Sequence, residues 1–504
     1  MAPLTRAEAS SYAETSLHAD VMSFLAVLAA RADPRLHVSS FGQSPGGRDL
    51  PLVVVSAPGL RTPDDARRRG LPVVLVLAGI HAGEVEGKES VLMLVRDLLD
   101  GAHGDLLAGL TLVVVPLFNP DGNDALDPEN RRLHLPRLTG QRGPERAGTR
   151  ANAAGINLNR DYMRQAAPEM RLLQAGVVQP WQPDLTIDTH ATNGSVHRFA
   201  MTYDVPHTGE SGRAEPIAFM RHRLLPDVTA ALARNHQLPA GWYGNFVEDE
   251  RALDARRDAD PHAPVALGWM TYPHHPRFGS NYRGLGGRLD LLLECHSYLP
   301  FPERVRTTYA TLLETLAWVA AHGNDVLETV ARSQTPRDRI AVRYRLDAFD
   351  DLIEIPTRIP RTLDGAPTVV RVRHVARFTG TTVVERPPAY VVPAPVAAHL
   401  ALHGLALEPP APGRRAVAVA TVAAAGADRG RKILEAAEVA ALQVEWRATE
   451  RALPDGARVV RTDQPGGAIA VYLCEPESDD GAVENGLVAS PEIGEEYPIW
   501  RVRP

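Results

Sequence analysis

Lysine is almost missing from this chain. It occurs only at Lys88 and Lys432, and arginine carries the rest of the positive charge. That bias reads as one of coding rather than of arginine function. Cysteine is as scarce, with Cys295 and Cys474 alone. Two thiols cannot build a disulfide framework or a cysteine-rich zinc site, so any metal must be held by His, Glu and Asp. Cys295, inside an apolar run, reads as a small buried residue rather than a nucleophile. No block of basic residues is present and the formal net charge is −7, which argues against a nucleic-acid partner. No apolar stretch reaches the length of a membrane-spanning helix, so no membrane partner is expected. The opening Met1-Ala-Pro-Leu-Thr-Arg6 lacks a signal-peptide core, which points to the cytoplasm, or to export if a signal was removed before Met1. Also missing are a Gly-x-Ser-x-Gly elbow, a Walker phosphate loop and any internal repeat, so a serine hydrolase or a nucleotide-driven enzyme is not expected.

What is present is the composition of an ordinary globular protein, 44% hydrophobic and 23% charged over 504 residues. That length exceeds one ordinary core and suggests two domains. Residues 1–335 alternate strand and helix patterns. Strands are expected at Leu50–Ser56, Val73–Leu77, Leu112–Pro116, Leu185–Asp188 and Leu289–Leu293. Helices are expected at Val21–Ala30, Glu84–Leu99, Ala167–Val178, Ala214–Arg234 and Val305–Ala331. This alternation implies an α/β fold with a mixed, mainly parallel sheet flanked by helices. Residues 119–156 form a long polar connection, a length usually kept for function. After a linker at residues 331–339, residues 336–504 read as a smaller β-rich domain. Its expected strands are Ile340–Leu346, Thr368–Val375, Thr381–Glu385, Ala416–Val422 and Ala468–Leu473, with one helix at Pro395–His403.

The most informative segment is Leu71-Pro-Val-Val-Leu-Val-Leu-Ala-Gly-Ile-His81-Ala-Gly-Glu84. An apolar strand ends in a glycine turn that carries a histidine and a glutamate three apart. Open α/β sheets place their chemistry at such strand ends, and both groups are ordinary Zn²⁺ ligands. With 18 histidines in the chain, one His-x-x-Glu is expected roughly once by chance, so the motif's weight rests on partners. Asp184-Leu-Thr-Ile-Asp-Thr-His190 again ends an apolar run in a histidine. His81, Glu84 and His190 would make the three-ligand composition of an open, catalytic zinc site. In Asn157-Leu-Asn159-Arg160, an arginine fork beside an amide can bind a carboxylate, or can be an exposed loop arginine. In Leu289-Asp-Leu-Leu-Leu-Glu294, a carboxylate ends an apolar strand. It reads either as a general base toward a metal-activated water or as a salt-bridged strand-edge residue. His274-His275, flanked by prolines, reads as a surface loop, and His296 as a hydrogen-bonded structural histidine.

The ordered set His81-x-x-Glu84, Asn119-Pro-Asp-Gly122, Asn159-Arg160, His190 and Glu294 resembles the zinc carboxypeptidases, also called funnelins. Gly42-Gln-Ser-Pro-Gly-Gly47-Arg48 is similar to a turn of that family, and the resemblance spans about residues 20–330. It implies a zinc carboxypeptidase-like fold with Zn²⁺ held by His81, Glu84 and His190. It further implies Glu294 as general base and proton shuttle, and Asn159 and Arg160 as the holders of a substrate's terminal carboxylate. Arg150 matches the donor to the scissile oxyanion, with Arg142 and Arg146 as rivals. Tyr282, in Tyr282-Arg-Gly-Leu-Gly-Gly287, matches the tyrosine that closes over substrate, with Tyr272 as the alternative. Leu289 would lie near the specificity pocket and favour apolar C-terminal side chains. The chain departs from the family at Asn157, where an aspartate commonly orients a zinc-bound histidine, and after His190, where Ala191-Thr-Asn-Gly194 stands.

The expected activity is zinc-dependent hydrolysis of the C-terminal peptide bond of peptides that carry a free carboxylate. The alternatives are a zinc amidase or deacylase acting on small acyl amino acids or cell-wall peptides, a non-catalytic peptide-binding protein, and an interaction role centred on the β-rich domain.

Overall fold

The computed structural model describes residues 2–57, 59–104, 106–248, 267–409, 413–428 and 439–503. Its centre is an eight-stranded sheet of order β1-β2-β4-β3-β5-β10-β6-β7. The strands are β1 (Leu36–Gln43), β2 (Asp49–Val55), β3 (Val73–Ala78), β4 (Thr111–Val115), β5 (Leu185–Thr192), β6 (Met201–Asp204), β7 (Ala240–Trp242) and, after β8 (Asn245–Glu248) and β9 (Leu267–Met270) of another sheet, β10 (Leu289–His296). The central strands β4, β3, β5 and β10 run parallel, while β1, β2 and β6 pair antiparallel toward the edges.

Chemistry explains the centre. β3 is the run Val-Val-Leu-Val-Leu-Ala, buried at every residue. A strand covered on both faces needs apolar side chains in continuous succession, not in alternation. Its side chains divide with period two. Val74, Val76 and Ala78 enter a core with the helices His18–Ala29, Glu86–Leu99 and Phe301–Ala321. Val73, Leu75 and Leu77 enter a second core on the opposite face. Each fully buried Val or Leu contributes about 1.5–3 kcal/mol of transfer free energy, so this strand anchors both layers.

All five expected strands of the first half are present within a few residues. The expected helix at residues 305–331 is two helices, Phe301–Ala321 and Gly323–Ser333, broken at His322 (φ −118°, ψ 26°). The polar connection 119–156 is anchored by a short helix, Pro120–Asp124, capped by the Asn119 side chain, which accepts from the Gly122 amide at 2.9 Å. The Gly42–Arg48 turn clasps it: Arg48 Nη1 and Ser44 Oγ each donate to Asp121 at 2.8 Å.

The C-terminal part holds β11 (Arg339–Ile359), β12 (Ala366–Glu385), β13 (Ala389–Val392), β14 (Leu407–Glu408), β15 (Arg414–Asp428), β16 (Val439–Ala452), β17 (Arg458–Arg461) and β18 (Trp500–Val502). They form a six-stranded sheet, β14-β17-β13-β18-β15-β16, and a four-stranded one, β11-β12-β9-β8. Thr368–Val375 and Thr381–Glu385 are one continuous strand. One expectation fails here. Ala468–Leu473 is the interior of a helix, Gly467–Cys474, not a strand. Every residue in it is buried, and an apolar run covered on all sides carries no periodicity to tell helix from strand. The four-stranded sheet draws strands from both sides of residue 335, with β12 pairing in parallel with β9. The second core likewise joins Leu75 and Leu77 to Ile340, Tyr390, Leu400 and Tyr472. Among the described residues no helix is long and apolar enough to cross a membrane.

Candidate metal centre

Three turns of chain bring the chemistry to the carboxyl ends of β3, β5 and β10. Past β3, the chain turns at Gly79 (φ 70°), where a Cβ would sit 3.1 Å from Leu117 Cδ1. That left-handed backbone strongly favours glycine. The turn then closes on itself, with the Glu84 amide donating to the His81 carbonyl at 2.9 Å. Parallel register sets Ala78 beside Thr189, and Glu294 beside His190. A ligand pair from one strand end, a ligand from the next strand and a carboxylate from the third therefore meet.

His81, Glu84 and His190 are each buried, and one ligand atom from each lies within 4.8 Å of the others. The two Nδ1 atoms are 3.1 Å apart, and His190 Nδ1 is 2.9 Å from Glu84 Oε2. Each imidazole is held from behind through Nε2. His81 Nε2 meets Asn157 Oδ1 at 3.0 Å, and His190 Nε2 lies 3.2 Å from Asp188 Oδ1. Behind His81 the amide oxygen favours the proton on Nε2 and leaves the Nδ1 lone pair for a metal, whereas His190, against its burial, is raised well above its usual pKa by Asp188 and Glu84, so a metal at its Nδ1 would displace a proton. The neutral amide of Asn157 thus performs the orienting task expected of an aspartate.

Cations already gather at this set. Arg131 Nη2 donates to Glu84 Oε1, and Arg150 Nη1 lies 3.1 Å from His81 Nδ1 and 3.5 Å from Glu84 Oε1. Converging acceptors faced by two guanidiniums are an environment built for positive charge, and the donor set fits Zn²⁺. Burial pushes His81 down to about 3, helped by the Arg150 charge, so its imidazole stays neutral. Burial opposes the charge on Glu84, but the adjacent Arg131 guanidinium outweighs it and holds the carboxylate well below its usual range. Burial and the neighbouring Glu84 charge raise Glu294 to about 8 in the metal-free protein.

His81, Glu84, Arg131 and Arg150 line a cleft of about 450 Å³ that also takes in Asn159, Arg160 and Glu294. The Asn159 amide is fixed by the Gly279 N–H donating to its Oδ1 at 2.9 Å, and the Arg160 guanidinium lies over the Phe278 ring at 3.7 Å. Tyr243, Tyr272, Phe278 and Leu292 pack together as an apolar wall of the same cleft.

Several expected placements change. Tyr282 does not reach the cleft. It lies in the second core and its hydroxyl meets His403 Nδ1 at 2.7 Å, because the helix Gly279–Leu285 turns it toward the C-terminal elements. Tyr272 lines the cleft but directs its hydroxyl to the Val205 carbonyl at 3.2 Å. Leu289 points into the first core, and Leu292 takes the cleft position. Of the arginine rivals, Arg146 donates to the Leu126 carbonyl at 3.0 Å and neither it nor Arg142 lines the cleft. Arg131 and Tyr243 do, and sequence reasoning missed both. Arg131 sits in the long connection with no motif around it, and Tyr243 follows a short edge strand. The His296 ring lies against His197, centroids 4.0 Å apart and planes tilted by 44°, outside the ligand set. His274 is buried against Asp479 rather than on a surface loop.

Residues 21–184 match the family described as zinc carboxypeptidase. That stretch contains His81, Glu84, Asn159 and Arg160. Carboxypeptidase D of Drosophila melanogaster is 31% identical over 149 residues, covering 28% of this chain and 9% of that protein. The match therefore spans about a tenth of the length of that relative. Among solved structures, a metallo-carboxypeptidase from Burkholderia cenocepacia is 18% identical with a TM-score of 0.39, covering 61% of this chain and 68% of the other. The carboxypeptidase A from Helicoverpa armigera is 14% identical with a TM-score of 0.40, covering 62% and 75%. The likeness to the zinc carboxypeptidases is carried by residues 21–184.

Proposed function

We propose that the protein is a zinc-dependent carboxypeptidase acting on peptides with a free C-terminal carboxylate. The observation that carries this is the convergence of His81 Nδ1, His190 Nδ1 and the Glu84 carboxylate, with Glu294 in register beside His190. His81, Glu84 and His190 would hold Zn²⁺, which when bound lowers the pKa of water and polarises a carbonyl. Glu294 takes the proton of the attacking water and delivers it to the leaving amine. Its surroundings suit that cycle, since a carboxylate raised toward neutrality both accepts and returns a proton. Arg150, with Arg131 beside it, donates to the oxyanion that develops on the scissile carbonyl. Asn159 and Arg160 hold the terminal carboxylate by an amide and a bidentate fork, which restricts cleavage to the chain end. The wall of Tyr243, Tyr272, Phe278 and Leu292 gives the terminal side chain an apolar surface.

The test combines zinc content with hydrolysis of paired peptides, one a free acid and one C-terminally amidated. Stoichiometric zinc and cleavage of the free acid alone are expected, and Glu294→Gln abolishes turnover while zinc stays bound. Equal cleavage of the amidated peptide would instead favour an amidase.

A further inference from the structure

A second group with metal-ligand chemistry lies behind the cleft. His274 and His275 come from the segment that leads into the helix Gly279–Leu285, and Asp479 from the loop after the helix Gly467–Cys474. One ligand atom from each of the three lies within 4.8 Å of the others. We propose that His274, His275 and Asp479 form a second site for a divalent metal of the zinc class, which ties the C-terminal loop to the wall of the cleft.

The geometry parallels the first site. His274 Nε2 lies 2.8 Å from Asp479 Oδ2, close to the 2.9 Å between His190 and Glu84. Tyr472 donates its hydroxyl to Asp479 Oδ1 at 2.6 Å, the kind of support from behind that orients a ligating carboxylate. The two imidazoles stack, with centroids 4.4 Å apart and planes at 24°, so their edges can face one ion. The His275 ring makes no hydrogen bond among the described residues and rests against the His274 ring. Two imidazoles and a carboxylate suit zinc or its neighbours rather than calcium or magnesium.

A metal here would act as a cross-link between distant stretches of chain. The His275 carbonyl accepts from the Phe278 amide at 3.1 Å, and Arg277 pairs with Asp480 at 3.0 Å. Phe278 is the ring under Arg160, and Gly279 holds Asn159. The proposed ion would therefore stiffen the support of both residues. Metal binding at this second site does not rest on the carboxypeptidase reading, whereas that stiffening consequence does.

The test is a Co²⁺ titration of metal-stripped, full-length protein, read by visible absorption and by metal analysis after desalting. Wild type is expected to bind two equivalents. H81Q/H190Q, which leaves the second site untouched, is expected to bind one, and H275Q is expected to bind one. If wild type binds one equivalent that H81Q/H190Q loses, the second site is refuted and the first stands. If H275Q still binds two, the assignment of ligands is refuted. Binding of one equivalent that persists in H81Q/H190Q and vanishes in H275Q would uphold the second site and sink the first.

Discussion

The two histidines of the candidate metal centre differ in what stands behind them, and that difference can be measured. His190 has the Asp188 carboxylate 3.2 Å from its Nε2, and His81 has the Asn157 amide oxygen at 3.0 Å. A carboxylate makes the imidazole a stronger donor to a metal than an amide does. Removing such support typically costs 10–100-fold in metal affinity, about 1.4–2.7 kcal/mol. Asp188→Asn keeps the shape and removes the charge, so zinc should bind 10–100-fold more weakly. The fold should survive, because Arg283, the other partner of Asp188, retains its buried ion pair with Asp290. Asn157→Asp is the reciprocal change. The new carboxylate would still accept from the Asn159 amide, as Asn157 Oδ1 does at 3.0 Å, and zinc affinity should rise. The assay is competition against a chromophoric chelator, with circular dichroism to confirm folding. A folded Asp188→Asn protein whose zinc affinity stays within about twofold of wild type would refute the argument from charge. Equal weakening by both substitutions would show that shape, not charge, sets the affinity.

Three further outcomes follow from the same geometry. Arg160→Ala should raise KM for free-acid peptides by about 10–150-fold, the worth of a charge-assisted hydrogen-bond pair, and leave any residual cleavage of amidated peptides unchanged; steady-state kinetics on the two peptides checks it. Tyr282→Phe should leave kcat/KM within about twofold and lower stability by about 1–3 kcal/mol, since its hydroxyl serves His403; a large loss of kcat with unchanged stability would return Tyr282 to the cleft. Asp204, buried and accepting from Thr271, is raised to about 6, burial being the main cause. The folded protein then keeps a proton that the unfolded chain has released, so stability is lost as pH rises from about 4 to about 6, by up to ~3 kcal/mol. Asp204→Asn should remove that loss, gaining on wild type as pH rises from about 4 to about 6 and holding the gain above that in urea unfolding. A pH-independent difference between the two proteins would contradict it.

How far the sequence could be read depended on where each residue's environment was written. β3 was legible as an unbroken apolar run, β5 and β10 as shorter apolar stretches broken by polar residues, and their ends marked His81, His190 and Glu294. Arg160 and Asn159 were legible as a local pair. Arg131 was not, since its place depends on how the connection 119–156 folds back over the strand ends. The Tyr282 side chain was misplaced because a Tyr-x-x-x-Gly-Gly string does not say which side of its helix packs inward, and here the C-terminal elements draw it away. The pairing of β9 with β12, and the meeting of His274 with Asp479, join residues about a hundred to two hundred positions apart. No local pattern records such contacts.

The second core has a further consequence for how this molecule can be divided. Side chains from β3 and β4 share it with β13 and with the helices Ala394–Leu402 and Gly467–Cys474. A chain ended at residue 335 would keep most of the cleft's chemistry yet uncover one face of its own sheet. It would also leave β9 without its partner β12. Such a fragment would present wet apolar surface and an open strand edge, the two conditions that favour aggregation. The smallest self-sufficient unit is therefore longer than the stretch that carries the family likeness, and limited proteolysis should remove surface loops before it releases an active N-terminal piece.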